Sequence, residues 1–261
     1  FEITIAATCC TVKEIQDISA SISAGLNKKY ARYAVTEMNA DTAFNSVSFR
    51  IEDVKIDRSI TVQSVAALKP KEHTKLIVQK ETSIDLATSG SMIFAGKTRS
   101  GKTTGVISVL MQALLAGRDN YGSKITIIDP KQAELSRLPH TITLDEDGEA
   151  RGILEAMKGF ADTIKERQRV LNDLSDERGN AVHWWEAGFH VSFLFIDEYV
   201  TLRSIFPKRA AKEDGGYNLA EFDGLIKRIV TMGASAGCYV IISIAEASVE
   251  EGGLPAMLRS A

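Results

Sequence analysis

Gly96-Lys97-Thr98-Arg99-Ser100-Gly101-Lys102-Thr103 is the stretch from which the fold of this chain is read. It fits G-x-x-x-x-G-K-[ST], a turn between a strand and a helix that wraps main-chain N–H groups around phosphate. Each residue type answers a separate need. Gly96 and Gly101 permit backbone angles that a side chain forbids. Lys102 brings a positive charge to the β- and γ-phosphates, and the Thr103 hydroxyl can ligate Mg²⁺. The helix beginning there turns its positive end to the anion. The flanks agree, because Ser91–Ala95 reads as an apolar strand and Thr103–Ala116 as an apolar helix. The nucleotide-binding set is accordingly Gly96, Thr98, Arg99, Ser100, Gly101, Lys102, Thr103 and Thr104.

Outward from this loop, Val191-Ser-Phe-Leu-Phe-Ile196 is a second apolar strand, and it ends in Asp197 and Glu198 about 95 residues after Lys102. A carboxylate there shares the sheet edge of the glycine turn and can hold the hydration shell of Mg²⁺. Glu198 is suited to orient or deprotonate an attacking water. Lys102, Asp197 and Glu198 are therefore the candidate catalytic residues, with Thr103 and Asp197 on the metal. Such a pair serves a hydrolase; a small-molecule kinase has less use for the second acid, and no arginine-rich lid segment is evident. ATP and Mg²⁺ are the implied cofactors. Lys124–Ile128 is a third strand, running into Asp129-Pro130-Lys131, where Asp129 either faces the ligand or ends the strand as the proline requires. Cys238–Ile244 is a fourth. Apolar strands alternating with helices predict an α/β fold whose mostly parallel sheet is covered on both faces, with ligands at the carboxyl ends of the strands.

Residues 1–62 read as a small α/β subdomain. Phe1–Ala6 and Ala31–Met38 are expected strands, Val12–Leu26 an expected helix, and Phe44–Val54 alternates with Val47, Phe49 and Ile51 on one face. Residues 63–80, carrying Lys69, Pro70, Lys71, Glu72 and Lys75, read as a charged connector. Residues 81–261 are expected to form the nucleotide-binding domain, truncated at its C-terminal side. The 261 residues hold 31 Lys and Arg against 34 Asp and Glu, with 44% hydrophobic and 25% charged. That excludes disorder and a surface basic all over, although not a local basic channel. Cys9, Cys10 and Cys238 cannot form a disulfide framework and fit a reducing, cytoplasmic setting. Apolar runs such as Tyr239–Ala245 are far too short to span a bilayer. The chain starts at Phe1 without a methionine, so it is expected to be a fragment, and any membrane association would come from segments outside it.

With these motifs in view, the chain resembles the FtsK/SpoIIIE family of DNA-pumping ATPases. Leu86 followed by Met92-Ile-Phe-Ala-Gly96 is similar to the family's approach to its P-loop. Ile128-Asp129-Pro130-Lys131-Gln-Ala-Glu-Leu135 is similar to its "DPK…EL" motif, Phe195-Ile-Asp197-Glu198 to its acidic motif, and Ala236-Gly237-Cys238-Tyr239-Val-Ile-Ile242 to its "aGihlil" strand. Thr98-Arg99-Ser100 and Asp129–Pro139 look most like coupling ATPases of Gram-positive integrative conjugative elements and plasmids. The resemblance implies a RecA-like P-loop NTPase core. It also implies a homo-oligomeric ring, a hexamer, that moves DNA without reading its sequence, in conjugative transfer or segregation. A relaxase and membrane channel proteins are the further partners it suggests. Two positions depart from the pattern. Ala234 stands where many members have arginine, and Ala245 stands where they have the glutamine that senses γ-phosphate, with Glu246 next to it.

Arg203, Lys208, Arg209 and Lys212 form either a loop that touches DNA phosphates in a ring's pore or an ordinary solvated loop. Arg203 and Arg228 are both candidates for an arginine that reaches a neighbouring subunit's γ-phosphate. Trp184 and Trp185 can stack on bases or pack in the core. Ile153, Met157, Phe160, Ile164, Leu171 and Leu174 form the seam of a long helix. His73, His140, His183 and His190 lack ligand spacing, so no metal besides Mg²⁺ is expected. Two readings stand beside the DNA motor: a protein-secretion ATPase of the same superfamily, and a nucleotide-bound docking module without turnover.

Overall fold

The computed structural model describes residues 1–97, 99–116, 123–209 and 216–245. The chain divides into two units, Phe1–Ser59 and Ile60–Ala261. The first is an antiparallel sheet backed by helix. β1 (Glu2–Ala6), α1 (Val12–Asp17), α2 (Ser19–Gly25), β2 (Tyr33–Ala40) and β3 (Ser46–Asp53) follow one another, and β3 lies between β1 and β2. The alternation along β3 buries Val47, Phe49 and Ile51 completely, and Ile15 of α1 packs with Val47 and Phe49.

The single helix expected over Val12–Leu26 is two. Thr11 and Glu14 form a reciprocal capping box at the start of α1, and Ile18 (φ −81°, ψ 0°) closes α1 and opens α2. Hydroxyl side chains here compete with the helical ladder. Ser23 Oγ donates to the Ser19 carbonyl and accepts the N–H of Val35, so it serves β2 as well as its own helix.

The second unit runs through β4 (Lys75–Gln79), β5 (Thr82–Asp85), β6 (Met92–Ala95), α3 (Lys102–Ala116), β7 (Ile125–Ile128), β8 (Thr141–Ile142), α4 (Arg151–Arg178), β9 (Ser192–Ile196), α5 (Tyr199–Ile205), α6 (Leu219–Gly233) and β10 (Cys238–Ile244). The stretch 63–80 holds more structure than its charge and proline suggest. It contains a 3₁₀ turn at Val65–Leu68 and β4, which makes an antiparallel hairpin with β5. Leu76 is fully buried, which accounts for its place in the core of this unit. Gln112, on α3 and also fully buried, acts as a surrogate strand partner for β4. Its Oε1 accepts the N–H of Ile77 at 2.8 Å and its Nε2 donates to the Ile77 carbonyl at 2.7 Å.

The core is a five-stranded, wholly parallel sheet in the order β6-β10-β9-β7-β8. Its central strands are apolar on both faces because helices cover both. Leu194 and Ile196 of β9, with Cys238, Val240, Ile242 and Ile244 of β10, join the core formed with α4, α5 and α6. Phe193, Phe195, Tyr239 and Ile241 point the other way, into the core formed with α3 and the β4–β5 hairpin. Each such buried side chain contributes about 1.5–3 kcal/mol.

Close backbone approach fixes where α6 meets β10. A Cβ on Gly233 would lie 2.0 Å from the Cys238 carbonyl oxygen, and Gly237 turns with φ +66° directly over the Trp184 ring. Trp184 is thus a core residue, whereas the half-buried Trp185 stacks on His183 with ring centroids 4.4 Å apart. At the amino-terminal edge of the sheet the buried Arg167 of α4 donates to the carbonyls of His190 and Ala236 and to Ser192 Oγ, tying the starts of β9 and β10 together.

Candidate functional site

Sheet register assembles the opposite edge. Ile242 of β10 pairs with Ile196 of β9 and with Ile93 of β6, and Ile128 of β7 pairs with Ile196. One residue further on, Phe94, Ser243, Asp197 and Asp129 therefore form a row across four strands. Alternation puts this row on the face covered by α3, the helix that Lys102 begins. The N–H of Asp197 donates to the Ile128 carbonyl at 2.9 Å, and the N–H of Gly96 to the Ile244 carbonyl at 3.2 Å, extending the pairing to the loops.

The glycine loop leaves β6 at this edge. A Cβ on Gly96 would meet Ser100 Oγ at 2.7 Å, so the Ser100 hydroxyl would have to turn aside; contrary to expectation, the left-handed backbone of this loop falls on Arg99 and Gly101 and not on Gly96. Arg99 (φ +67°) and Gly101 (φ +89°) make the reversal into α3. The Lys102 ammonium curls over the loop, donating to the carbonyl of Gly96 and, at 3.3 Å, to that of Lys97. Thr103 and Thr104 occupy the first turn of α3, Thr103 half-buried and Thr104 exposed. Thr98 lies outside the described residues. A turn reversed through left-handed Arg99 and Gly101, an ammonium folded over it and hydroxyl residues at the start of α3 fit a polyphosphate chelated to a divalent metal.

Asp197 ends β9 half-buried, and burial pushes its carboxyl above the usual aspartate value. The hydroxyl of Ser243 opposes that rise, while the carboxylates of Glu198 and Asp129 add to it. A half-buried acid with two further carboxylates nearby is suited to accept a cation.

Asp129 is fully buried and folds back on its own loop. Its oxygens accept the N–H groups of Lys131 (3.1 Å), Ala133 (2.8 Å) and Ser136 (3.1 Å), the strand-ending role. Glu198 turns out of the strand with left-handed backbone (φ 47°, ψ 51°), and its Oε1 lies 3.0 Å from Lys131 Nζ.

Sequence reasoning missed two of these links. Ser243 carries no motif signal, the Lys131–Glu198 pair joins residues 67 positions apart, and both depend on strand order. Arg203 is engaged within the chain: its guanidinium grips Asp223 through two bonds of 3.0 and 2.8 Å, joining α5 to α6. Arg228 is exposed on α6, as are Lys208 and Arg209 beyond α5. Lys212 and Glu246 lie outside the described residues. Among the described residues no helix is long and apolar enough to cross a membrane.

Comparison with known proteins bears on the same region. The FtsK-domain-containing protein YdcQ of Bacillus subtilis (strain 168) is 25% identical over 190 residues, which make up 73% of this chain and 36% of YdcQ. This chain thus spans about a third of that relative's length. Among solved structures, the pCW3 conjugation coupling protein TcpA, a monomer with ATPγS, superposes with a TM-score of 0.56 at 14% identity, over 93% of this chain and 66% of TcpA. ATPases 2 and 3 of EssC from Geobacillus thermodenitrificans give a TM-score of 0.53 at 14% identity, over 78% of this chain and 38% of that one. At such identities the structural likeness establishes the fold, a RecA-like P-loop core with a parallel sheet. The FtsK/SpoIIIE family model matches residues 67–249, spanning the glycine loop, the acidic pair and the sheet that joins them. The chain belongs to the FtsK/SpoIIIE family.

Proposed function

We propose that this chain is the motor region of an ATPase that converts ATP hydrolysis into movement of DNA, in conjugative transfer or segregation. The observation that carries the reading is the row Ser243–Asp197–Asp129 beside the glycine loop. It brings a cation-seeking carboxylate to the edge where α3 begins with Lys102.

In this reading the main-chain N–H groups of residues 98–103 and the Lys102 ammonium bind the β- and γ-phosphates. Lys102 leaves the carbonyls of Gly96 and Lys97 and moves to the anion. Thr103 and Asp197 hold Mg²⁺, which when bound neutralises charge on the phosphates. Glu198 orients the attacking water and accepts its proton at a carboxylate oxygen. Ser243 steadies Asp197. Lys208 and Arg209, exposed beyond α5, contact DNA phosphates, which carry no sequence information. With Arg203 held by Asp223, Arg228 is the better candidate to reach a neighbouring subunit's nucleotide in a ring.

The test is steady-state ATP hydrolysis by the full chain with and without single- and double-stranded DNA. DNA should stimulate the rate several-fold. Turnover indifferent to DNA would favour the protein-secretion ATPase. Tight nucleotide binding with no turnover under any condition would favour a docking module, for which Ala234 and Ala245, the latter just after β10, are the motivating residues.

A further inference from the structure

We propose that Lys131 is a positioning residue for hydrolysis: its ammonium holds the Glu198 carboxylate in the orientation from which that carboxylate addresses water. This role rests on the ATPase reading. The ion pair measures 3.0 Å between Lys131 Nζ and Glu198 Oε1, with the side chains 50% and 31% exposed. At that exposure an ion pair adds little to stability. Orientation is what it provides.

Both partners are held at the main chain. The buried Asp129 carboxylate accepts three N–H groups from residues 131–136, the first from Lys131 itself, so the loop after β7 is tied to its strand end. The pairing of Ile128 with Ile196 makes that loop leave the sheet beside the turn after β9. At that turn Glu198 adopts left-handed backbone, a conformation that costs a non-glycine residue of order 1 kcal/mol or more. The sharp turn sends its side chain toward the Lys131 loop. Glutamate keeps several side-chain torsions beyond the backbone, and a carboxylate that must meet a water in a near-attack geometry loses rate when it wanders. Lys131 removes that freedom from the neighbouring strand.

The test is single-turnover ATP hydrolysis by the full chain in excess over Mg·ATP, with ATPγS binding measured in parallel. Lys131→Met should lower the hydrolytic rate about tenfold and leave ATPγS affinity within about twofold. Lys131→Arg, which keeps a cation there, should run at least about threefold faster than Lys131→Met. In a Glu198→Gln background, adding Lys131→Met should change the residual rate by less than about twofold, because no carboxylate is left to orient. An unchanged rate in Lys131→Met overturns the role. So does a matching loss of ATPγS affinity, or an equal fold-loss in both backgrounds, either of which makes Lys131 a phosphate ligand or a structural residue. A wild type that binds nucleotide without hydrolysing it sinks the ATPase reading and this role together. A working wild type with an indifferent Lys131→Met sinks this role alone.

Discussion

Gln112 offers the sharpest test of how the β4–β5 hairpin is held on the helix that follows the glycine loop. The side chain is fully buried and makes two hydrogen bonds, accepting the Ile77 N–H at 2.8 Å and donating to the Ile77 carbonyl at 2.7 Å. Gln112→Leu keeps the volume and removes both. A buried backbone group left without a partner costs about 1–3 kcal/mol. Ile77 is 39% exposed, so water can recover part of that. The net loss should be about 2 kcal/mol, and at a urea m value of about 3 kcal/mol/M the midpoint falls by about 0.7 M. Fluorescence reads this cleanly, because the only two tryptophans, Trp184 and Trp185, lie in the second unit. Gln112→Glu sharpens the test. An ionised carboxylate can accept from Ile77 but cannot donate to its carbonyl, whereas a protonated one can do both. That variant should therefore lose more stability at neutral pH than in mild acid, relative to wild type at each pH. A midpoint for Gln112→Leu within about 0.2 M of wild type would refute the surrogate-strand role.

Gly233→Ala forces a Cβ to within 2.0 Å of the Cys238 carbonyl oxygen and should cost at least about 3 kcal/mol. Gly159→Ala, where the added Cβ meets open space on α4, should stabilise by about 0.5–1 kcal/mol in the same melts. Burial pushes the Cys238 thiol up to about 11 from an ordinary value of 9. The folded chain thus keeps that proton when the unfolded chain has lost it. Cys238's contribution should be fully present below pH 9 and fall by up to about 1.4 kcal/mol per pH unit as pH rises toward about 11. A Cys238→Ala variant should lack that part of the alkaline slope. A thiol reagent at pH 8 should label the exposed Cys9 and Cys10 quickly and Cys238 only on unfolding. The half-exposed Arg203–Asp223 fork should show a coupling of about 1 kcal/mol in a double-mutant cycle of stability. Coupling near zero would mean that Arg203 is free for other work.

What could be read from residues alone was what local chemistry determines. Phe193–Ile196 and Cys238–Ile242 are apolar on both faces, and that composition already points to a covered parallel sheet. The glycine loop and Asp197-Glu198 are local patterns, legible wherever the strands go. Strand order is a different matter. Nothing in β10 says that it inserts between β6 and β9, yet that insertion is what sets Ser243 beside Asp197. Lys131 was visible as part of Asp129-Pro130-Lys131, but its partner is decided by the β7–β9 pairing. Helix periodicity over Val12–Leu26 concealed the break at Ile18, because an apolar stripe continues across a kink, and nothing in the sequence says that Ser23 also accepts the N–H of Val35. The charge of 69–75 concealed a structured stretch, since what anchors it is the buried Leu76 just beyond and the bond of Ile77 to a glutamine 35 residues further along.

The central claim is that the glycine loop and the acids after β9 make one ATP-hydrolysing centre, and a paired measurement tests it most directly. Nucleotide affinity and hydrolysis are measured on the full chain for wild type, Lys102→Ala and Glu198→Gln. Lys102→Ala should lose nucleotide binding or turnover. Glu198→Gln should bind ATP as wild type does and hydrolyse it at least about a hundredfold more slowly. Wild-type hydrolysis by Glu198→Gln would contradict the account.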